Sequence, residues 1–256
     1  MKREKRKRKT ENGSPASLDH RDDSPSALIA EMQQYYGRRA EIYDASMGYE
    51  DPDVVCSLQP VIEALREAMR DRTVLEIACG PGFWTQHVAE AAHSIVASDY
   101  NESTLSRARA KPIDVDRVSF VRADAYDLSS IGGTFTGAFA VDWLAHVPAS
   151  RLHAFLDGLH QKLEPGARVA FCDQTPRPSS FTGLHDAEGN HLQERDLPDG
   201  SRFRVIKHFF SDGELRDVLA RYADDVTIRR FDRQRRVLVA YRLGPVQGVA
   251  AMATAR

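Results

Sequence analysis

Two glycines and an aspartate at a characteristic spacing are the residues of this sequence that most clearly suggest chemistry. Gly80 and Gly82 form a turn between an apolar strand and a helix, and Asp99 closes the next apolar strand, about twenty residues after the first glycine. Glycine lets backbone approach a ligand where a Cβ would collide, and the helix start offers unpaired N–H groups. A carboxylate at this spacing reaches ribose hydroxyls. The stretch therefore predicts a site for a ligand that contains a ribose.

Two neighbours of this turn narrow the choice of ligand. Thr85 stands where a dinucleotide-binding turn has a third glycine or an alanine. Glu76 places a carboxylate within the first strand, where a buried acid needs a partner, and a cationic ammonium would serve. Both residues disfavour an NAD(P)-dependent oxidoreductase, although that class uses the same kind of glycine turn and ribose carboxylate.

Four segments taken together resemble a known family. VLEIACGPGFWT resembles the first motif of class I S-adenosylmethionine-dependent methyltransferases, and SDYNESTL, VRADAYDL and KLEPGARVAF are similar to that family's second, third and fifth-strand motifs. The resemblance spans Tyr35 to Leu243 and points to the small-molecule methyltransferase type. It implies S-adenosylmethionine as the cofactor. It also implies an α/β fold with a Rossmann-like seven-stranded sheet, mostly parallel with an antiparallel last strand, helices on both faces and a β-hairpin insertion after the fifth strand.

The resemblance, combined with positions at strand ends, implies which residues bind the cofactor. Glu76 and Gly80 would face its amino-acid end and Asp99 its ribose, while Asp124 is placed to accept the adenine amino group. Tyr100 would lie against the adenine face. Alternatively, Tyr100 packs on the next helix and Asp124 caps a short turn. The full predicted set is Glu76, Ala78, Gly80, Gly82, Asp99, Tyr100, Asp124, Ala125 and Asp142.

The acceptor side of the site is expected after the fourth strand, at the crevice of the sheet. His146 is the candidate general base because an imidazole titrates near neutrality; the alternative is a loop histidine bonded to backbone. Asp142 would line the pocket, where it could orient His146 or the acceptor. The tyrosines and histidine of the acceptor set could instead be packing residues. The predicted acceptor contacts are Tyr36, Tyr43, Trp143 and His208.

The elements that position these residues alternate between strand and helix. Apolar spacing predicts further strands at 118–121, 137–141 and 167–172, and helices at 28–43, 54–69, 101–110 and 149–163. The polar segment from Asp173 to Phe209 departs from this alternation, and the sequence LPDGS within it indicates a hairpin turn. Such an insertion can form a lid over an acceptor site. Strands at 226–231 and 237–243 would close the sheet as an antiparallel pair.

Composition describes an ordinary globular protein. The chain has 256 residues, 42% of them hydrophobic and 28% charged, and its formal net charge of -2 argues against a surface devoted to nucleic acid. The three cysteines are isolated, so neither a disulfide framework nor a metal site is predicted, and a reducing cytoplasm is the expected location. No apolar run approaches the length that spans a bilayer.

A basic segment, MKREKRKRK, opens the chain and sets the predicted domain limits. It leads into polar residues and is interpreted as a disordered tail over residues 1–26, with nucleic-acid binding or nuclear targeting as alternatives. The methyltransferase domain is expected over 27–245. Within it we predict N-terminal cap helices at 27–70 and a lid-like insertion at 173–209. A frayed C-terminus is expected at 246–256.

These observations favour transfer of a methyl group from S-adenosylmethionine to a small molecule, by in-line displacement that depends on proximity. The acceptor atom, O, N or C, and the oligomeric state are left open. Trp143, Phe209 and Phe210 near the expected site favour an aromatic or other apolar metabolite. The alternative is an RNA methyltransferase that uses the basic tail, and weaker alternatives are the oxidoreductase and a binding protein without catalysis. Nucleic acid and membranes are not the expected partners.

Overall fold

The structure is a computed structural model that describes residues 22–223 and 225–244. The predicted tail up to residue 21 and the predicted frayed end lie outside the described residues. The strands are β1 (Thr73–Ile77), β2 (Ser94–Asp99), β3 (Val118–Arg122), β4 (Phe135–Val141), β5 (Leu163–Gln174), β6 (Leu184–His185), β7 (His191–Asp196), β8 (Arg202–Ile206), β9 (Thr227–Phe231) and β10 (Arg236–Arg242). The α-helices are α1 (Pro25–Arg39), α2 (Tyr43–Met47), α3 (Pro52–Met69), α4 (Phe83–Val88), α5 (Glu102–Arg109), α6 (Leu152–His160) and α7 (Asp212–Leu219).

A seven-stranded sheet with the order β3-β2-β1-β4-β5-β10-β9 forms the centre of the fold. β1 to β5 run parallel to one another, whereas β10 is antiparallel to both β5 and β9. The predicted mostly parallel sheet with an antiparallel last strand is therefore confirmed. β5 is longer than predicted, because its pairing with β10 continues to Gln174, opposite Arg236.

The order of the strands fixes where a ligand can bind. Successive strands run outward from β1 to β3, and the chain then returns to place β4 on the other side of β1. At such a switch point the connections leave in opposite directions and open a crevice at the carboxyl ends of the strands. Val74, Leu75 and Ile77 of β1 are buried on both faces of the sheet, as a central parallel strand requires.

Helices cover both faces of this sheet. α3, α4 and α5 pack on one face through residues such as Leu65, Val88 and Leu105. α6 and α7 cover the other face, where Phe155 and Leu219 join the core. The helix after the glycine turn, which the sequence predicts over Trp84 to Ala92, is shorter and ends at Val88. None of the helices in the described part of the chain is both long and apolar enough to cross a membrane.

The insertion after β5 contains the predicted hairpin, formed by β7 and β8, and β6 extends it to a small antiparallel sheet. Leu197 N–H donates to the Ser201 carbonyl at 2.9 Å and closes the turn. α1 packs against β8 through a separate apolar cluster that includes Leu28, Met32 and Val205. The N-terminal helix and the insertion therefore pack together as one unit.

An ion pair strengthens this unit, and close packing of α1 on α5 joins it to the rest of the domain. The Arg204 guanidinium donates to the Glu31 carboxylate, joining β8 to α1. Gly37 of α1 lies against α5, because a Cβ there would stand 2.7 Å from the Asn101 side-chain oxygen. The predicted helix over 28–43 is interrupted by a short 3₁₀ turn at Ala40–Ile42 before α2 begins. Tyr36 of α1 and Tyr43 of α2, on either side of this turn, both line the crevice.

Candidate active site

A cleft of about 840 Å³, part of it open to solvent, lies at the carboxyl ends of β1 to β4, and we call it the central cleft. All the predicted cofactor residues except Glu76 and Gly82 line it. α1 contributes the opposite wall through Ile29, Met32 and Gln33. The predicted residues that line the cleft are Ala78, Gly80, Asp99, Tyr100, Asp124, Ala125 and Asp142.

Asp99 connects the end of β2 to the glycine turn. One carboxylate oxygen accepts from Gly80 N–H at 3.0 Å, and the other accepts from Asn101 N–H at 2.8 Å and Thr104 Oγ1 at 2.9 Å. Burial raises the pKa of Asp99, and these hydrogen bonds oppose that shift. The side chain is thus held rigidly at the cleft wall with a negative charge available to hydroxyl donors.

The two glycines of the turn serve different purposes. Gly80 has φ +55°, and a Cβ built on it would meet no heavy atom within 4 Å, because it faces the cleft. Gly82 has φ +81°, and a Cβ there would stand 3.0 Å from the Ala108 Cβ of α5. Gly80 therefore exposes backbone to the ligand, whereas Gly82 allows close packing. Ala78 and Asp142, which follow the adjacent strands β1 and β4, also adopt left-handed backbone, with φ +52° and +56°.

Glu76 lies in a side pocket that adjoins the central cleft at Ala78 and Gly80. Its Oε2 atom is buried and has no hydrogen-bond partner among the described residues. Burial raises the pKa of Glu76 to about 8. Aromatic rings of Phe83 and Trp84 form the other walls of the pocket. The orphaned carboxyl oxygen fits an ammonium group, which would supply the missing hydrogen bonds and the opposite charge.

The far end of the cleft combines an acid with aromatic rings. Asp124 accepts from the Tyr126 N–H at 2.9 Å, as in the predicted turn, and its side chain still lines the cleft. Tyr100 is 39% exposed, with the Arg122 guanidinium 5.6 Å from its ring centroid. Trp143 packs edge-on against Phe155, and its indole N–H has no partner among the described residues. This end offers flat surfaces and polar atoms suited to an adenine.

A second, larger cavity of about 1360 Å³, including open solvent, adjoins the first. We call it the cation chamber, because seven of its lining side chains are cationic: Arg39, Arg177, Arg195, Lys207, Arg233, Arg235 and Arg236. The central cleft and the cation chamber meet at a junction formed by four residues that line both, namely Tyr36, Tyr43, Asp142 and His146.

His146 is held at this junction with a defined tautomer. Its Nδ1 atom lies 2.6 Å from the Ile206 carbonyl oxygen, which can only accept, so Nδ1 carries the proton. Nε2 is then an acceptor, and the Tyr36 hydroxyl donates to it at 2.9 Å. Burial lowers the pKa of His146 to about 3, and the charge of Lys207 adds to this shift. The imidazole is therefore neutral, and both of its nitrogens are engaged.

Asp142 forms a buried ion pair at the same junction. Its Oδ1 accepts from the Arg236 guanidinium at 2.5 Å, while Oδ2 has no partner among the described residues. Arg236 also donates to the Tyr49 hydroxyl at 3.2 Å and lies 5.5 Å from the Trp84 ring centroid. Burial alone would raise the pKa of Asp142, but the charge and hydrogen bond of Arg236 and the charge of Lys207 together outweigh it, so the pKa is lowered.

The structure does not bring every predicted residue to this site. His208 lines a small separate pocket with Phe210 and Asp173, outside both cavities, and burial lowers its pKa. Phe209 packs against Phe181 and His191 instead of the cleft.

Sequence reasoning also missed Lys207 and Arg236. The available signal was a cation next to a buried apolar strand, in VIK and in RVLVA, where a charge requires a partner.

Comparisons with known proteins agree with this geometry. A sequence model described as a methyltransferase domain matches residues 74–166. An uncharacterized methyltransferase from Synechocystis sp. is 30% identical over 162 residues, which cover 58% of this chain and 74% of that protein. Demethylmenaquinone methyltransferase from Clavibacter sepedonicus is 28% identical over 163 residues, or 64% of this chain and 63% of that protein. A structure of DhpI in complex with S-adenosylhomocysteine is 28% identical, with a TM-score of 0.68 over 85% of this chain and 98% of DhpI.

This chain therefore belongs to the class I S-adenosylmethionine-dependent methyltransferases, of the small-molecule type. The matched segment runs from β1 to the start of β5, which is the part of the chain that builds most of the central cleft. The predicted cofactor, S-adenosylmethionine, is confirmed. The oxidoreductase alternative is set aside, because the matching family is a methyltransferase family. The carboxylate of Glu76 in β1 and the antiparallel strand near the end of the sheet also disfavour it.

Proposed function

We propose that the methyl group is transferred at the junction of the two cavities, to a small acceptor that occupies the cation chamber. The observation that carries this proposal is that the central cleft and the chamber share Tyr36, Tyr43, Asp142 and His146. A cofactor in the cleft and an acceptor in the chamber would thus meet at one wall. Holding the two reactants in line, away from water, supplies most of the acceleration in such a displacement.

The residues of the cleft support one orientation of the cofactor. Glu76 would bind its ammonium group and Asp99 its ribose, while Asp124 and Tyr100 would bind the adenine. When bound, S-adenosylmethionine supplies a methyl group on a positively charged sulfur. A lone pair of an acceptor held at the junction would form the new bond to that methyl group, and the electron pair of the methyl–sulfur bond would remain on sulfur.

For an acceptor that carries a proton, we propose that His146 is the base and acts through Tyr36. The hydroxyl of Tyr36 already donates to His146 Nε2, so it can take up the acceptor's proton only as it passes its own to the imidazole. The pair thus acts as a relay at the junction. Burial of His146 makes the imidazole a weak base, and this limits how much the relay contributes to the rate.

The pH dependence of the wild type and of His146→Gln tests this assignment. We expect kcat to fall about 10- to 100-fold in the variant. The pKa of His146 lies near 3, so this residue should not titrate between pH 6 and 7. Plots of kcat against pH should therefore have the same shape in this range for the wild type and for the variant. Tyr36→Phe should lower kcat to a similar extent, while the exposed His153→Gln serves as the control. A full rate for Tyr36→Phe would contradict the relay.

Cofactor binding should depend on pH through Glu76. Its pKa of about 8 keeps it protonated at neutral pH in the free protein, and an ammonium partner would drive off that proton. We therefore expect the affinity for S-adenosylhomocysteine to rise from pH 6 to 8, by less than about tenfold per pH unit. Calorimetry in buffers of different ionisation enthalpy measures the released proton. Glu76→Gln should abolish the release, and the exposed Glu50→Gln should retain it.

The overall assignment is tested by incubation with labelled S-adenosylmethionine and a panel of small alcohols, phenols, amines, acids and RNA. We expect label in a small molecule. Label confined to RNA, with salt-dependent binding lost on removal of residues 1–21, would favour the RNA alternative. That alternative has its positive feature in the basic tail, which lies outside the described residues.

The domain limits remain part of this proposal. We propose that the cap helices within 27–70 and the insertion at 173–209 act together as a lid, supported by their contribution of Tyr36 and Lys207 to the cavity walls. Residues 246–256 fall outside the described part of the chain.

Cytoplasmic location is also kept as a proposal. It rests on the free thiols of Cys56, Cys79 and Cys172, which fit a reducing compartment.

A further inference from the structure

The charge of the cation chamber is far out of balance. Its wall carries seven cationic side chains and one carboxylate, Asp142. The net charge of the chain is only -2, so the basic character of this cavity is local. A concave wall of one charge raises the local concentration of ions of the opposite charge. The chamber is thus suited to an anion.

Only one of these seven cations is neutralised within the described residues. Arg236 pairs with Asp142. Three others donate to neutral oxygens: Arg39 to Ser46 Oγ at 2.7 Å, Arg195 to Gln193 Oε1 at 2.5 Å and Arg235 to the Thr175 carbonyl at 2.6 Å. None of the six besides Arg236 has a carboxylate oxygen within 4.0 Å among the described residues.

Lys207 is the most unusual of them, because it is only 3% exposed. Its ammonium group makes no hydrogen bond or ion pair with any described side chain, although Asp142 and Asp173 lie close enough to affect it electrostatically. Keeping a cation away from water without a partner costs free energy unless a ligand supplies the opposite charge. Lys207 follows Ile206, whose carbonyl fixes His146, so this charge stands next to the junction.

We propose that the methyl acceptor carries an oxyanion, a carboxylate or phosphoryl group, which binds Lys207 in the cation chamber with the surrounding arginines. This proposal rests on the function proposed above and specifies its substrate class. It departs from the apolar acceptor expected from Trp143, Phe209 and Phe210, because both phenylalanines lie outside the two cavities. An oxyanion provides acceptors for several N–H donors at once, as an ammonium and guanidinium groups require.

Binding of inorganic phosphate and of acetate to the protein saturated with S-adenosylhomocysteine tests the proposal without knowledge of the acceptor. At constant ionic strength, we expect at least one of the two anions to raise the melting temperature of the wild type and of Arg202→Gln, an exposed cation of β8 outside the chamber. Lys207→Met should lose this response. The anion that binds more tightly distinguishes a phosphoryl from a carboxylate acceptor. Equal responses in wild type and Lys207→Met, or no response in either, would overturn the proposal.

A paired panel then tests the acceptor itself. Each acid is compared with its neutral amide or ester, and we expect methylation of acids with KM at least about 10-fold lower, an advantage that Lys207→Met removes. Neutral compounds methylated as well as their acids would overturn the proposal, as would RNA as the sole acceptor. Binding of S-adenosylhomocysteine to Lys207→Met should be unchanged. If that ligand fails to bind even the wild type, the function proposed above fails instead.

Discussion

Replacing Asp99 by asparagine should raise the dissociation constant for S-adenosylhomocysteine about 100-fold, equivalent to about 2.7 kcal/mol. The charged oxygens of Asp99 would accept from ribose hydroxyls, and a hydrogen bond to a charged group is worth about 1.5–3 kcal/mol. The same carboxylate positions the Gly80 N–H at the turn, so its loss also disturbs the backbone that faces the ligand. Titration calorimetry measures the constant directly.

Asparagine is chosen because its remaining oxygen can still accept from Asn101 N–H and Thr104 Oγ1, which preserves the fold. The matched control is Asp116→Asn, which changes an exposed carboxylate away from the cleft and should leave the affinity unchanged. Equal affinities for Asp99→Asn and wild type would show that the ribose binds elsewhere.

Arg236→Met should be the most destabilising single change at the site, costing about 3–5 kcal/mol. Without Arg236, the carboxylate of Asp142 is buried with no opposite charge in contact, and Tyr49 loses a donor. For a domain of this size we expect a melting temperature lower by about 10 °C. Denaturant unfolding of the two proteins measures the difference in the free energy of unfolding.

The double variant Arg236→Met with Asp142→Asn isolates the cause. It should recover a substantial part of the lost stability, because it removes the unpaired charge, and asparagine tolerates the left-handed backbone at residue 142. A double variant no more stable than Arg236→Met would mean that the cost comes from lost packing against Trp84 instead.

The pH dependence of that difference has a defined sign. The charges of Arg236 and Lys207 together depress the pKa of Asp142 in the folded wild type despite burial, so the pair of Asp142 with Arg236 contributes stability above the ordinary carboxyl pKa of about 3.9. That contribution is lost as the pH falls through the folded pKa. In Arg236→Met, burial is opposed mainly by the more distant charge of Lys207, so the pKa of Asp142 is higher than in the wild type and Asp142 takes up a proton at milder pH. The stability difference between the proteins should therefore shrink from pH 8 to pH 5.

The cofactor half of the site could be predicted because its determinants are local in sequence. The run from β1 through the glycine turn to β2 sets Gly80 and Asp99 by the lengths of one strand, one helix and the next strand. The parallel pairing of β1 with β2 then brings their ends together. Such geometry follows from the order of the elements alone.

The acceptor half could not be predicted in the same way, because its wall is assembled from distant elements. Arg39 comes from α1, Lys207 from the end of β8 and Arg236 from β10. Whether a charged side chain on these elements faces a cavity or solvent depends on how the insertion packs on α1. For β8 a partial signal exists, since Lys207 follows the buried Phe203 and Val205 at the two-residue spacing of one strand face.

His146 and His208 show the same limit. The sequence predicts both near the acceptor, but their surroundings depend on the path of the chain after β8. His208 N–H donates to the Ala145 carbonyl at 2.8 Å, which fixes the backbone beside the junction, while its side chain turns to a different pocket. The low pKa of His146 likewise depends on burial under the insertion and on Lys207, which spacing in the sequence does not reveal.

A crystal structure of the protein with S-adenosylhomocysteine is the most direct test of the account. We expect the ammonium group against Glu76, the ribose hydroxyls on Asp99 and the sulfur directed toward Tyr36 and His146, with the cation chamber left free for an acceptor. A ligand whose sulfur faces away from that junction, or that occupies the chamber itself, would contradict it.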